Sequence, residues 1–166
     1  MNIIIPFFEK QLKEEIASTR KMLEVVPDDK YDWQPHAKSM SIRRLATHIA
    51  ELPTWIPLGL DTDELDFSKG DYKATPIDNT NDLLRVFDEN QIGAFKALSK
   101  TNDEFLLNPW TMRDGETVYF TISKQDVIRM TISQMIHHRA QLGVFLRLLN
   151  IPIPGPYGPS ADEMGL

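Results

Sequence analysis

The 166-residue chain has no cysteine, which excludes disulfides, thiolate metal ligands and a cysteine nucleophile. A metal, if held, must be held by imidazole, carboxylate or amide oxygen. Basic residues are also scarce, with 18 Lys and Arg against 24 Asp and Glu and a formal net charge of -6. Gripping a phosphate backbone needs clustered Lys and Arg to displace counterions, so nucleic acid is not an expected partner. Long hydrophobic runs are missing as well, and nothing approaches the ~20 apolar residues that span a bilayer. The apolar start, Met1 to Phe8, is short, contains Pro6 and gives way at once to Glu9 and Lys10. It therefore does not read as a signal peptide, and the expected location is cytoplasmic.

What is present suits a globular fold. Hydrophobic residues make up 42% of the chain and charged residues 25%, enough to build a core. The length suits one domain over residues 1–166.

Ile4, Phe7, Phe8, Leu12, Ile16, Thr19, Leu23 and Val26 recur at steps of three and four, which predicts a first helix ending before Pro27-Asp28-Asp29. Ser41 reads as the N-cap of a second helix carrying Ile42, Leu45, Ile49, Leu52 and Ile56, which Pro53 and Pro57 must kink or end. Gly59 to Thr80, with Asp61, Asp63, Glu64, Asp66 and Asp71, lacks a sustained apolar period and reads as a loop. A third helix, capped by Thr80 or Asn81, carries Leu83, Leu84, Phe87, Ile92, Phe95 and Leu98. Asp114-Gly115 between Trp110-Thr-Met and Thr117-Val-Tyr-Phe predicts a hairpin. A fourth helix runs from about Ser123 to Asn150, followed by a Pro- and Gly-rich tail that Tyr157 should anchor over the bundle. The predicted fold is all-α, a four-helix bundle with a small β-hairpin between helices 3 and 4.

The chain has four histidines, His36, His48, His137 and His138. His48 lies three residues after Leu45 and four before Leu52, on or beside the apolar face of the second helix. On the fourth helix, Val127, Met130 or Thr131, Gln134, His138, Leu142, Phe145 and Leu149 form an inward stripe in which Gln134 and His138 stack one turn apart. Facing helices could thus bring His48, Gln134 and His138 to one point. Neutral imidazole is a common ligand of divalent transition metals, zinc and nickel first among them here, and three protein ligands leave room for water or substrate. The bland alternative is that Gln134 and His138 simply hydrogen-bond each other in the core. His137 points about 100° away from His138 and reads as a neighbouring or surface group without a catalytic role. His36, in a loop, reads as solvated. Glu51 could orient a ligand or act as a base through water, or be an ordinary helix-surface carboxylate.

Three stretches resemble the DinB-like superfamily, whose members include YfiT-type metal-dependent hydrolases and thiol S-transferases. They are Tyr31-Asp-Trp-Gln-Pro-His36 with Ser41-Ile-Arg-Arg-Leu-Ala-Thr-His48-Ile-Ala-Glu-Leu52, then Gln134-Met-Ile-His137-His138-Arg139-Ala-Gln141-Leu142, then Ile153-Pro-Gly-Pro-Tyr-Gly-Pro-Ser-Ala-Asp162-Glu163. The resemblance implies a bundle holding a divalent metal through one histidine of the second helix and two of the fourth, spaced His-x-x-x-His. His48 and His138 match the first and last of these positions. Gln134 stands where the other histidine belongs, and a neutral amide is a poorer donor, so affinity should fall. The implied function is a metal-dependent hydrolase or a transferase acting on a small molecule, with low-molecular-weight thiols such as bacillithiol or mycothiol as substrates of related proteins, and pairing into a homodimer. The rival expectation is a non-catalytic stress-response or binding module whose metal site has degenerated, and Gln134 is the residue that favours it.

Overall fold

The computed structural model describes residues 2–70 and 73–166, so Met1, Asp71 and Tyr72 lie outside the described residues. The bundle is built from α1 (Ile4–Glu24), α2 (Ile42–Glu51) with α3 (Trp55–Asp61), α4 (Thr80–Leu98) and α5 (Lys124–Leu148). A short 3-10 turn, Leu52–Thr54, joins α2 to α3. The prolines act as expected: Pro53 sits in that turn, and Pro57 falls in the first turn of α3, where a missing N–H leaves no helical bond unmade. The bundle thus has four helical rods, the second one kinked.

The helix starts are fixed by side chains that accept from the orphan N–H groups of the first turn. Asp103 accepts from the backbone N–H groups of Ile4 (2.9 Å) and Ile5 (3.1 Å) at the start of α1. Ser41 accepts from Arg44 N at 3.2 Å, as its position predicted. The cap of α4 is Asn79, accepting from Asp82 N at 2.9 Å, one residue before the expected Thr80 or Asn81. Thr80 is otherwise engaged, its hydroxyl donating to the Val26 carbonyl at 2.6 Å.

The expected hairpin forms from β2 (Pro109–Asp114) and β3 (Thr117–Ser123). Its turn is Gly115-Glu116, with Gly115 at φ +55°, one position later than the Asp114-Gly115 pair suggested. The segment read as a loop contains a third strand, β1 (Glu64–Asp66), paired in parallel to β2 with Leu65 opposite Met112. Three residues are too short to show a period of two, and the strand depends on a tertiary contact. Asp66 Oδ1 accepts from Ser68 Oγ (2.7 Å), Ser68 N (3.0 Å) and the turn's Gly115 N (2.9 Å). These donors, the Ser68 hydroxyl foremost, hold the Asp66 carboxyl well below the usual carboxylate range. The sheet order is β1-β2-β3.

The core is contiguous, with Leu12, Leu23, Ile49, Phe87, Leu98 and Leu142 among its fully buried members. Two expected core positions face solvent, Phe7 and Ile92, the latter 67% exposed, while Val86 is buried instead. On α5 the buried stripe is Ile128, Ile132, Met135, Arg139, Leu142 and Leu146. Val127, Thr131 and Leu142 of the expected stripe are buried too, but Gln134 is exposed and His138 half-buried on the flank.

The helix α5 ends in a Schellman arrangement, with Asn150 at φ +57°, its N–H bonded to Arg147 O and Ile151 N–H to Leu146 O, both at 3.0 Å. The tail then packs back, as expected, with Ile151 and Ile153 against the core and polar groups holding the rest. Tyr157 is 71% exposed and holds through its hydroxyl, which donates to Glu15 Oε1 at 2.9 Å. Asp162 pairs with Arg147 and accepts from Ile153 N at 3.0 Å, and Glu163 accepts from Ser160 N at 2.8 Å.

One buried cation sets the junction between α3 and α5. Lys124, 1% exposed, donates through Nζ to Gly59 O at 3.0 Å and to Thr62 O, and pairs with Asp63 at 3.1 Å. The helices meet closely here, since a Cβ on Gly59 would lie 2.6 Å from Val127 Cγ1. Lys124→Met should leave those carbonyls unsatisfied and cost about 2 kcal/mol. Urea unfolding should show a lower midpoint at unchanged slope.

Candidate functional site

Helices α2 and α5 bring His48 and His138 together, with ring centroids 4.7 Å apart and planes at 75°. His48 comes from the flank of the α2 face whose buried members are Leu45 and Ile49, continued by Leu52 in the turn that follows. His138 owes its place to the residue after it. Arg139 is buried and turned toward α1, where Nη1 pairs with Glu15 Oε2 at 2.7 Å and donates to Thr19 Oγ1 at 3.2 Å. Its Nη2 donates to Tyr157 OH at 2.8 Å. With residue 139 facing the interior, residue 138 lies about 100° around the helix, toward α2.

The His138 ring is oriented by Gln141, one turn on, whose Oε1 lies 2.8 Å from Nδ1. An amide oxygen only accepts, so Nδ1 carries the proton and Nε2 is left with the lone pair. The two histidines are held toward the neutral form. His48 is pushed below its ordinary pKa by burial first and then by the charge His138 would carry, with Glu51 opposing. Burial also lowers His138, against the Gln141 hydrogen bond, which raises it. Two imidazoles this close disfavour each other's protonation.

Gln134 does not bond His138. It lies at the exposed edge of α5 and lines, with His48, a cavity of about 270 Å³. A larger cleft of about 870 Å³ shares His48 in its lining and is formed among others by Glu51, Leu58, Phe67 and Arg85. Glu51 Oε1 accepts from both the N–H and the hydroxyl of Thr75, each at 2.8 Å, and so ties the chain ahead of α4 to α2. His137 is exposed, with its ring 4.9 Å from that of His138. His36 is exposed in its loop, its Nδ1 accepting from Lys38 N at 3.1 Å.

Sequence reasoning passed over two residues that position the site, Arg139 and Gln141. The signal for the first was a charge at a core-spaced position of α5, four residues after Met135 and three before Leu142. Among the described residues no group of three His, Cys, Asp or Glu could hold a metal. The donors at this point are two imidazoles that burial holds toward the neutral form, one with its tautomer fixed, and the Gln134 amide, which shares a cavity lining with His48. That set fits an openly coordinated, weakly held divalent cation and not a closed structural site.

The lowered histidine pKa values carry a sign for stability. A group whose folded pKa lies below its unfolded value near 6.5 takes up its proton more readily on unfolding. Stability should therefore be full above about pH 6.5 and fall as the pH drops through 6.5 toward the folded values. Chemical denaturation from pH 7.5 to 5 should show this loss, and His48→Gln should flatten it. A loss of equal size in His48→Gln would assign it to other groups.

Among the described residues no helix is long and apolar enough to cross a membrane. No curated protein matches the chain. Solved structures do match. A DinB-like protein from Bacillus cereus shares 21% identity, with 89% of this chain and 94% of that one covered at a TM-score of 0.69. A DinB-like protein from Bacillus subtilis shares 16%, covering 90% and 96% at 0.69. A protein of Exiguobacterium sibiricum shares 18%, covering 98% and 99% at 0.68. At these identities the likeness is one of fold. The DinB family model matches residues 8–164, nearly the whole length, and the chain belongs to the DinB family.

Proposed function

We propose that this protein is a metal-dependent enzyme acting on a small molecule, as a hydrolase or a small-thiol S-transferase, at the His48–His138 pair. The observation that carries the reading is the 4.7 Å approach of two rings that burial holds toward the neutral state. His48 and His138 would hold the cation, zinc or nickel by ligand type, with Gln134 as a weaker third donor. A cation bound there would supply Lewis acidity, lowering the pKa of a coordinated water or thiol so that a nucleophile exists near neutral pH.

The protein's own groups have separate tasks. Gln141 fixes the His138 tautomer, and the burial of His48 keeps its lone pair available below the pH at which a solvated histidine would be protonated. The cleft beside His48 is roomy enough for a small-molecule substrate. The proposed setting is the cytoplasm, where low-molecular-weight thiols are kept reduced. A second reading, a non-catalytic stress-response or binding module with a degenerate metal site, is favoured by the amide at Gln134.

Calorimetric titration of tag-free protein with zinc or nickel separates the two. The wild type should bind one equivalent, lost in His138→Ala. Gln134→His should bind at least about tenfold tighter, because imidazole is the better donor and sits one turn from His138. Its melting temperature should rise with added metal, as expected when a ligand binds only the folded state. Equal and negligible binding in wild type and Gln134→His would favour the module.

A further inference from the structure

His48 and Trp55 line both cavities, the larger of about 870 Å³ and the smaller of about 270 Å³. The two spaces differ in chemistry. The larger carries Arg44, Arg85, Glu51 and Glu89 in its lining. Among the described residues the smaller has no Asp, Glu, Lys or Arg in its lining. Its walls are Leu52 and Trp55 from the kinked rod, Met112 and Phe120 from the hairpin, and Met130 from α5. Its polar side-chain groups are those of His48, Thr131 and Gln134 and the indole N–H of Trp55. The Thr131 hydroxyl already donates to Val127 O at 2.9 Å, so toward a ligand it can only accept.

We infer that the smaller cavity is the subsite for an uncharged, apolar arm of the small-molecule substrate, an aromatic ring or a short branched alkyl group, whose polar remainder lies in the larger cleft across His48. The inference rests on the proposed reading of His48 as a group that faces substrate. On the side away from His48 and Gln134, where Leu52, Trp55, Met112, Phe120 and Met130 form the walls, a buried charge would meet no partner, which is strongly unfavourable and selects an uncharged arm. An apolar cavity of about 150 Å³ holds benzene, so the 270 Å³ here takes a ring with a short chain. Trp55 and Phe120 offer faces and edges for ring packing, and the two flexible thioethers adjust to its outline. The subsite also gives the hairpin a role, since Met112 and Phe120 close one side of the space beside His48.

The test uses the full chain with a chelator present, so that its outcome is independent of metal binding. Of the seven methionines, Met112 and Met130 line this cavity. With carbon-13 in the methionine methyl groups, benzyl alcohol should shift the Met112 and Met130 signals saturably and leave Met40 and Met164 in place. Benzoate, similar in size but anionic, should bind at least about tenfold more weakly. Thr131→Met, which pushes a longer side chain into the space, should weaken benzyl alcohol by a similar factor. If that variant does not fold, Phe120→Ala, on the hairpin, should lower the affinity at least about fivefold by removing a wall. Absence of saturable shifts, shifts spread evenly over all the methionines, or equal binding of benzoate would overturn the subsite. Metal binding in the titration above together with no probe binding here would remove the subsite alone. Probe binding without metal binding would remove the metal reading and leave the apolar subsite.

Discussion

A guanidinium with 3% of its surface exposed has to be paired where it lies, because an isolated buried charge is far more unfavourable than the packing it disturbs. Arg139 meets that requirement only in one rotation of α5, the one that turns it to Glu15 and Thr19 on α1. Tyr157 completes the arrangement by accepting from Arg139 and donating to Glu15, so the chain after α5 is drawn onto the same point. Helix rotation, tail path and the α1–α5 contact therefore share one electrostatic constraint.

The site is downstream of this constraint. A helix whose position 139 faces α1 must present position 138 toward α2, and position 134 one turn earlier on the exposed edge. The rings of His48 and His138 then meet at a depth where protonation is disfavoured, and Gln141 sets which nitrogen of His138 offers its lone pair. The kinked second rod supplies Trp55 and Leu52 beside His48, and Pro53 is the local reason it kinks there. Gln134 separates this chain from a fuller donor set, and its exposure means that a change of side chain there meets little steric resistance.

Much of the bundle was legible from three- and four-residue spacing, since the core residues Leu12, Ile16, Leu45, Ile49, Leu83, Phe87 and Leu142 are buried as their periods required. The His48–His138 approach was legible from the same spacing joined to the family resemblance. What spacing could not supply was the rotation of α5 to within one residue. An apolar stripe that includes Thr131 and Leu142 is compatible with either Gln134 and His138 or Met135 and Arg139 facing inward, and hydrophobicity favours placing no arginine in a core. The decision lies with Glu15, more than a hundred residues away in sequence, which no local pattern reports. The strand β1 escaped for the same reason, being three residues held by Asp66 reaching to Gly115. Tyr157 suggests an apolar anchor by its ring, but it anchors the tail through its hydroxyl.

The most direct measurement is a double-mutant cycle on Glu15 and Arg139, with stability read by urea unfolding and the His48–His138 ring contact read by nuclear Overhauser effects. Arg139→Met alone should cost about 3 to 5 kcal/mol, because it leaves a buried carboxylate without its cation, and it should weaken the ring contact. Glu15→Leu combined with Arg139→Met should be clearly more stable than the sum of the single changes, since the pair is then removed together. Additive losses of under about 1 kcal/mol each, with the ring contact intact in both single variants, would contradict the claim that this ion pair sets the rotation of α5 and the place of His138.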